Sequence, residues 1–574
     1  MSSNPYEFCF DKTEAALDYL GNSFEWLAAG DNLGRVLHEV NFKVIQKLQR
    51  RLETLLLRLY TVYNRMSPIH VLPPEILGSI FEQTTNLPRL SEFGEEAGPC
   101  SWPTLQSVCR YWRNIAIKNP RLWSYIHVTE SQLSKYYGGE SLEEYPWNSV
   151  LISLERSAHV PLTIYVTYTP DQSYEPGELD YYALIRDLRP HVPRIREFYM
   201  DSISDFDFLE LFTLTDGGSS LKLLSITGDD LDEDEDRFSE WNASRLHTLY
   251  VDGSTDWTRA PFRTLRHLLV RGMDFGDIAE LHTFLTQNPH LEDLILDDFD
   301  AGLTIIPALE SLPPIIMPSL KRISVGGDRS YDVAQFIEAK LVLEAGYAKS
   351  YTFDSSEELF QIFSNPEQCF FPADRLLIGG RKRDKVVVGT DGRNSFLIMT
   401  DATSFLDRYD LHVPRPQVSE LWLKTRTFSY AQISEVCDAE VLTKVKKLVL
   451  LADIERCLRT VSTLCPFPAL LELDILIYSG ETCSYLVAIQ SLISREDSGY
   501  PIEILRIILN SPDENAAKVF LSWKRKATLF KQVVPNTTFE DASNNPRRME
   551  LPKICMEGSS AHSLWKPWDH IYSL

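Results

Sequence analysis

The sequence predicts a mixed α/β protein, with a helical module near its N-terminus followed by an irregular solenoid of strand-plus-helix repeats. Two patterns support this fold class. Apolar residues recur at helical spacing between about Leu37 and Ala116, and a phrase of the form L-x-x-L-x-L returns ten times beyond Pro161. The 574 residues are 44% hydrophobic and 24% charged, an ordinary composition that can bury a large core.

The L-x-x-L-x-L phrase is the strongest signal in the chain. Successive phrases begin 19 to 32 residues apart, except for one step of 98 residues, and leucine-rich repeats typically have ~20–29 residues per unit. This periodicity predicts strands that stack side by side as a leucine-rich-repeat solenoid. The apolar positions are Ile195/Phe198/Met200, Leu221/Leu224/Ile226, Leu246/Leu249/Val251, Leu265/Leu268/Val270, Leu291/Leu294/Leu296, Leu320/Ile323/Val325, Val418/Leu421/Leu423, Val445/Leu448/Leu450, Leu470/Leu473/Ile475 and Ile502/Leu505/Ile507.

The segments between the phrases indicate helices. Residues 277–287 have the apolar spacing of a short helix, so each repeat is predicted to be a strand plus a helix. The long step is expected to contain degenerate repeats, one of them at Leu376 and Ile378, and helical or inserted structure at residues 330–370. Neither GxGxxG nor GxxxxGK[ST] occurs, which argues against a nucleotide-binding sheet.

One residue of each phrase, between its last two apolar positions, is predicted to face away from the stacked core, because side chains alternate along a strand. In nine of the ten phrases these positions are Ser225, Tyr250, Leu269, Ile295, Ser324, Trp422, Val449, Asp474 and Arg506. Contact with a target protein is expected at Tyr250, Leu269, Ile295, Trp422 and Arg506. The two aromatic residues rank first, since such side chains dominate interface energetics. Cover by a neighbouring loop or by the C-terminal tail is an equally good interpretation.

A long amphipathic helix is predicted from about Leu37 to Tyr63. Its apolar stripe is long enough for a coiled coil, but Arg51 and Glu53 within so short a repeat leave packing against the same chain equally plausible. The stripe consists of Val40, Val44, Leu48, Leu52, Leu55, Leu59 and Val62.

Two further helical segments follow. In VLPPEILGSIF, at residues 71–81, Pro73 and Pro74 suit a helix start, where backbone N–H groups have no intrahelical partner. A second helix begins near Trp102 and is expected to stop at Asn119 and Pro120, before a strand-like ending. A unit this small has too few residues to bury all its apolar groups, so another surface should cover part of it. The residues that share the apolar face of the second helix are Leu105, Val108, Cys109, Trp112, Ile115 and Ala116.

These segments resemble the F-box family, in particular the F-box-like, leucine-rich-repeat proteins of mushroom-forming fungi. The resemblance implies a three-helix module that docks onto the Skp adaptor of a cullin-RING ubiquitin ligase. The loop at residues 82–101 is longer than in compact members of the family. The matching residues are Leu72 to Leu77, Ile80, Phe81, Val108, Cys109, Arg110, Trp112, Arg113, Ile115, Ala116, Pro120, Leu122, Trp123 and Ile126.

The resemblance also implies roles for individual residues. The first helix would place four residues in or beside the docking surface, namely Leu72, Pro73, Ile76 and Leu77. The second would supply further contact or core through Val108, Cys109 and Trp112.

Charge and hydropathy disfavour nucleic-acid and membrane partners. The formal net charge of −24 repels phosphate backbones and anionic bilayers. The best basic patch, at residues 381–385, indicates a solvated turn beside two glycines. No apolar run reaches the ~18 residues that span a bilayer, and the N-terminus lacks a basic leader. A cytoplasmic or nuclear protein is therefore expected.

Catalytic and metal-binding motifs are not found in the sequence. Nine scattered cysteines without CxxC pairs indicate reduced thiols, and neither GxSxG nor HExxH occurs. The acidic run at residues 229–236 lacks calcium-loop spacing and indicates a solvated loop. No catalytic residue, metal or cofactor is expected.

The predicted organisation has four parts: an N-terminal region at residues 1–66, an F-box-like domain at 67–128, a leucine-rich-repeat solenoid at 129–534 and a tail at 535–574. The tail is expected to cap the last repeat. The primary hypothesis is a non-enzymatic substrate receptor that holds an unidentified target for ubiquitylation. The alternatives are a repeat scaffold without a ligase role and an enzyme hidden at residues 330–417.

Overall fold

The computed structural model divides into two compact units, a helical unit formed by residues 1–85 and 101–119 and a sheet unit formed by residues 86–100 and 120–574. None of the described helices combines the length and apolar character that a bilayer crossing requires. The residues that the structure describes are 36–84, 102–129, 147–167, 181–201, 211–212, 220–227, 245–252, 262–275, 278–301, 311–327, 330–344, 346–353, 373–380, 385–400, 418–425, 443–451, 467–478, 484–557, 565 and 568.

The helical unit confirms the predicted long helix and the predicted helix start at the two prolines. The apolar side chains that turn inward in this unit, such as Leu77 and Phe81, are 0% and 1% exposed. In chain order the described elements are α1 (Val36–Arg65), a 3₁₀ turn (Pro68–Val71), α2 (Pro74–Thr84), α3 (Trp102–Val108) and α4 (Arg110–Lys118).

The second predicted helix is in fact two helices, and the prediction of a continuous helix is wrong. The chain breaks at Cys109, whose backbone is extended at φ −161° and ψ 168°. Its Sγ accepts a hydrogen bond from the backbone N–H of Trp112 at 3.4 Å and so caps α4. Asn119 ends α4, as predicted, with its backbone N–H bonded to the carbonyl of Ala116.

The sheet unit contains a sheet of 17 described strands and a separate pair, β8 with β10. Every one of the ten L-x-x-L-x-L phrases, and the degenerate one at Leu376, coincides with a strand. The strands are β1 (Tyr125–Thr129), β2 (Leu162–Thr167), β3 (Ile195–Asp201), β4 (Leu223–Thr227), β5 (Thr248–Asp252), β6 (His267–Phe275), β7 (Asp293–Ala301), β8 (Ile315–Met317), β9 (Arg322–Val325), β10 (Leu341–Leu343), β11 (Ala348–Phe353), β12 (Arg375–Gly380), β13 (Lys385–Thr390), β14 (Ser395–Thr400), β15 (Glu420–Thr425), β16 (Lys447–Leu450), β17 (Glu472–Ile477), β18 (Ile504–Leu509) and β19 (Asn536–Asp541).

Neighbouring strands of the large sheet are parallel, with one exception. The hairpin β13–β14 is inserted between β12 and β11, so that β12 and β14 each pair antiparallel with β13. Together with β10, β11 and β12, this hairpin occupies the long step in the repeat spacing. The strand order is β1-β2-β3-β4-β5-β6-β7-β9-β11-β14-β13-β12-β15-β16-β17-β18-β19.

One face of the sheet, the helix face, carries the leucine positions of the phrases, and these form one buried core with the helices. The helix predicted at residues 277–287 is confirmed as α7. The helices of the sheet unit are α5 (Trp147–Arg156), α6 (Tyr181–Leu188), α7 (Ile278–Gln287), α8 (Ser330–Lys340), α9 (Tyr485–Asp497), α10 (Glu514–Lys524), α11 (Ala527–Val533) and α12 (Lys553–Met556).

On the opposite face, the tail face, residues at paired positions of successive strands form a row that runs from β1 to β19. We call it the central row. All nine positions predicted to face away from the stacked core lie in it. In strand order it consists of His127, Tyr165, Tyr199, Ser225, Tyr250, Leu269, Ile295, Ser324, Ser350, Leu397, Val388, Leu377, Trp422, Val449, Asp474, Arg506 and Thr538.

The C-terminal strap, whose described residues are 542–557, Trp565 and Trp568, packs against the tail face. It leaves β19 through a bond from the Ala542 N–H to the carbonyl of Leu509, at 2.8 Å. Further along, Glu550 meets Arg375 of β12 at 3.3 Å, and the Arg322 guanidinium lies 5.9 Å from the centre of the Trp565 ring. The described strap residues thus contact strands β18, β12 and β9.

Two predicted domain boundaries lie at strands of the sheet unit. The last strand, β19, lies within the predicted tail, so the sheet extends to Asp541. The last residues of the predicted F-box-like domain, 120–128, lie in the sheet unit, where β1 pairs with β2. The described residues of the tail pack on part of one face of the sheet as well as following its last strand.

Candidate functional site

The helical unit leaves a set of apolar side chains in solvent. Val71, Ile76, Ile80 and Val108 are 83%, 49%, 37% and 50% exposed, and Pro73 is exposed beside them in the sequence. An exposed apolar set on so small a unit indicates a surface that another protein covers.

The predicted docking residues divide into three groups by exposure. Pro73, Ile76 and Val108 are exposed, and Leu72, Cys109 and Trp112 are half-buried. Leu77 is 0% exposed and so lies beneath the surface as core. Sequence reasoning did not select Val71, the most exposed of the apolar set, although it begins the same VLPPEIL string.

Aromatic and polar contacts fix α2 against α4. The rings of Phe81 and Trp112 lie 4.8 Å apart. At the other end of α4, the side-chain amide of Asn119 donates to a carboxylate oxygen of Glu82 at 2.9 Å. The Tyr111 hydroxyl donates to the carbonyl of Leu72 at 3.4 Å. These bonds hold the start and the end of the LPPEIL helix, so its outer face has a defined position.

Cys109 lies at the centre of this framework. Its Sγ is 3.6 Å from Nε2 of His70, whose ring packs edge-on against Tyr111 with ring centres 5.3 Å apart. A groove of about 1000 Å³ in the same unit is lined by these residues, by Val108 and Arg110, and by Tyr60 of α1. The cysteine therefore joins the 3₁₀ turn to α4 at the edge of the groove.

Replacing Cys109 by alanine should lower the free energy of unfolding of the helical unit by about 1 kcal/mol, because the cap of α4 is lost. Serine, whose hydroxyl is also a good cap, should restore most of it. Denaturant titration of the full chain, followed by hydrogen exchange in α4, measures both variants. Equal stability of the wild type and the alanine variant would contradict the capping role.

Four of the five residues predicted to contact a target are buried on the tail face. Tyr250, Leu269, Ile295 and Trp422 are only 1%, 2%, 6% and 5% exposed, so none of them presents an open surface. They form a second apolar cluster with residues of the strap. The alternative interpretation, cover by the C-terminal tail, is the one that the structure shows. The strap residues in this cluster are Met549, Cys555, Trp565 and Trp568.

Arg506, the fifth predicted contact, is engaged within the sheet. Its guanidinium bonds Glu472 at 2.8 Å and Asp474 at 2.9 Å. Asp474 is 2% exposed and also lies 3.7 Å from Lys447 and 3.6 Å from Arg547 of the strap. Burial raises the pKa of Asp474 even with these three cations around it. Arg506 therefore holds a buried carboxylate in place.

A second ionic cluster lies on the same face near the centre of the sheet. Asp293, 2% exposed, accepts from Arg322 at 2.9 Å and lies 2.7 Å from Nδ1 of His267. The same Arg322 side chain supports Trp565 of the strap. Ion pairs along the face therefore position the strap as well as neighbouring strands.

No candidate metal site lies among the described residues. In that part of the chain, no group of three or more histidine, cysteine, aspartate or glutamate side chains is arranged to hold a metal ion. The acidic run at residues 229–236 and the basic residues Arg381, Lys382 and Arg383 lie outside the described residues, whereas Lys385 begins β13.

Comparison with known proteins agrees with the helical part of the sequence interpretation. Residues 69–129 match the F-box-like family, a small part of the chain that includes the 3₁₀ turn, α2, α3, α4 and β1. The match supports the predicted F-box-like domain and, with it, a role in binding a Skp-type adaptor of ubiquitin ligases. A search of curated proteins finds no match to the chain.

Proposed function

We propose that this chain is a substrate receptor of a cullin-RING ubiquitin ligase, in which the helical unit docks on the Skp adaptor and the sheet unit holds a target protein. One observation carries the proposal: the F-box-like segment presents Ile76 and Val108 half-exposed on a framework fixed by the Phe81–Trp112 contact. Leu72, Pro73, Cys109 and Trp112 contribute contact or support, and Leu77 is core beneath them.

We infer further that the sheet unit is a leucine-rich-repeat solenoid of the type found in F-box-like proteins of mushroom-forming fungi, and three observations support this inference. Ten strands carry the L-x-x-L-x-L phrase, nearly all pairings are parallel, and the leucine positions form one core. The domains proposed are the region before residue 67, the F-box-like module up to residue 119, the solenoid up to Asp541 and the strap.

The chain acts by proximity in this proposal. A target held by the sheet unit has a raised effective concentration near the ubiquitin carrier that other subunits bring. No covalent step is assigned to a residue of this chain. The receptor works inside the cell, where the ligase subunits are found.

Calorimetric titration of the full chain with a purified Skp adaptor tests the proposal. We expect one-to-one binding with a Kd of about 1 μM or tighter, the range of a specific interface with a buried apolar centre. Absence of heat at tenfold higher concentration would exclude the ligase role. That outcome would favour the alternative, a repeat scaffold that has kept an F-box-like fold without its adaptor.

A further inference from the structure

The central row begins with three rings that the described strap residues do not bury. His127, Tyr165 and Tyr199 lie on β1, β2 and β3 and are each half-buried, whereas Tyr250, two strands further on, is 1% exposed. The rings follow one another with centres 5.3 Å and 5.9 Å apart. This open end of the row is a ladder of aromatic faces.

Hydrogen bonds on the same face hold the ladder in position. The carboxylate of Glu197 accepts from the Thr163 hydroxyl at 3.1 Å and from the Tyr199 hydroxyl at 3.5 Å. Nε2 of His127 lies 2.9 Å from the Thr167 hydroxyl. Burial and the charge of Glu197 raise the pKa of Tyr199, so its phenol stays neutral. The rings are therefore preorganised beside a fixed negative charge.

The charges around the ladder have one sign. At the described strand positions of β1 to β5 that share a face with the central row, Glu197 and Asp252 are acidic and no lysine or arginine occurs. The first cation of the face is Arg271 of β6, which lies 4.0 Å from Asp252 and 3.6 Å from Asp297. The open end is thus aromatic and anionic.

At the other end of the row the strap shows what this face accommodates. There the buried carboxylate of Asp474 receives Arg547 of the strap at 3.6 Å, and nearer the centre of the sheet the Arg322 guanidinium of β9 lies against the ring of Trp565 of the strap. A segment of this chain with an arginine side chain is therefore already an occupant of the closed part. The open part offers tyrosine faces, to which a guanidinium or ammonium binds through cation–π attraction.

We propose that the ladder of His127, Tyr165 and Tyr199 is the docking site for an extended target segment rich in arginine or lysine. The inference rests on the proposed function and deepens it, because it assigns the target-binding role to this end of the row and names the chemistry of the target. Strands are ~4.8 Å apart, so the ladder spans ~10 Å, about three residues of extended chain. In an extended segment of polyproline-II type, which has three residues per turn, a cation at every third residue would face the ladder at that spacing.

Fluorescence anisotropy with a defined probe tests the assignment. The probe is a labelled dodecamer of four Gly-Ser-Arg units, and its counterpart carries neutral citrulline in place of arginine. The proteins are the full-length wild type, a Tyr165→Ala/Tyr199→Ala variant, a Tyr165→Phe/Tyr199→Phe variant and a control with Tyr63→Ala and Tyr500→Ala. The two control tyrosines are 74% and 39% exposed elsewhere on the chain.

The alanine pair leaves the net charge of −24 unchanged, so it separates the ladder from general attraction of a cation to an acidic protein. We expect at least about tenfold weaker arginine-probe binding for the alanine pair, and changes of no more than about threefold for the phenylalanine pair and the control. Citrulline should abolish binding to the wild type. Equal affinity of wild type and alanine pair, equal binding of both probes, or no binding to the wild type would each overturn the inference.

Two further measurements keep the outcome interpretable. Should the alanine pair unfold, Glu197→Gln serves in its place, with about threefold weaker binding expected because a charge beside the rings is removed, and an unchanged affinity overturning the inference. Adaptor titration of the same variants should match the wild type. Failure of the wild type to bind the adaptor, with binding of the arginine probe intact, would contradict the proposed function but not the binding site at the ladder.

Discussion

Replacing Ile76 by aspartate should weaken binding of the Skp adaptor at least about 100-fold, because the buried contact is lost and an unpaired charge enters an apolar interface. The side chain is 49% exposed on α2, whereas Leu77 and Phe81 beside it form the core. The substitution therefore leaves the core in place, and the melting temperature should change little. Calorimetric titration of the adaptor into wild type and variant measures the affinity.

A matched control makes the Ile76 result specific. Ile316→Asp introduces the same charge at an isoleucine that is 69% exposed on β8 of the sheet unit, and it should leave adaptor affinity unchanged. Val108→Asp, on the other side of the proposed surface, should behave like Ile76→Asp. Full adaptor binding by Ile76→Asp and Val108→Asp would refute docking through this surface.

Removing the two tryptophans of the strap should expose the tail face. Trp565 and Trp568 are 3% and 2% exposed and lie 6.0 Å apart. Burying such side chains stabilises a fold by about 3–5 kcal/mol each, so Trp565→Ala/Trp568→Ala should detach the strap well below the unfolding midpoint of the sheet. The apolar cluster that includes Trp422 and Leu269 would then face solvent, and the variant should aggregate more readily.

Cys555 reports whether the strap is attached. It is 0% exposed, and burial raises the pKa of its thiol to about 12. Alkylation at pH 8 should therefore be slow in the wild type and at least about 100-fold faster when the strap is detached, because opening exposes the thiol and restores its ordinary acidity. Mass spectrometry of the peptide that contains Cys555 measures the rate.

A buried tryptophan on the opposite face serves as the control for the strap. Trp523→Ala, at a side chain 1% exposed in α10, should cost similar stability without accelerating alkylation of Cys555. Slow alkylation in the strap variant, or equally fast alkylation in both variants, would show that the two strap tryptophans do not hold the tail face closed.

The strands that carry the L-x-x-L-x-L phrase were predictable because the phrase is a local sequence pattern. A leucine that points into the stack recurs at fixed spacing within six residues, and every phrase of that form is a strand. The hairpin β13–β14 lacks the phrase and pairs antiparallel, so the repeated phrase did not predict it. Gly389 illustrates the different packing, since a Cβ there would lie 2.3 Å from the ring of Phe396 on the adjacent strand.

Whether the tail face is exposed or covered was not predictable from the strands alone. Alternation places Tyr250 and Trp422 on that face, but whether they meet solvent depends on a segment more than a hundred residues away in the chain. The tryptophans of the strap were the available signal. The break at Cys109 was missed for a different reason, because a thiol is an uncommon helix cap.

Hydrogen exchange of the full chain with and without saturating Skp adaptor is the most direct test of the central claim. Binding should slow exchange at residues 71–84 and 104–118, where Ile76 and Val108 lie, and leave the strands of the sheet unit unchanged. Protection confined to the sheet unit, or none anywhere, would contradict a receptor that joins its ligase through the F-box-like surface.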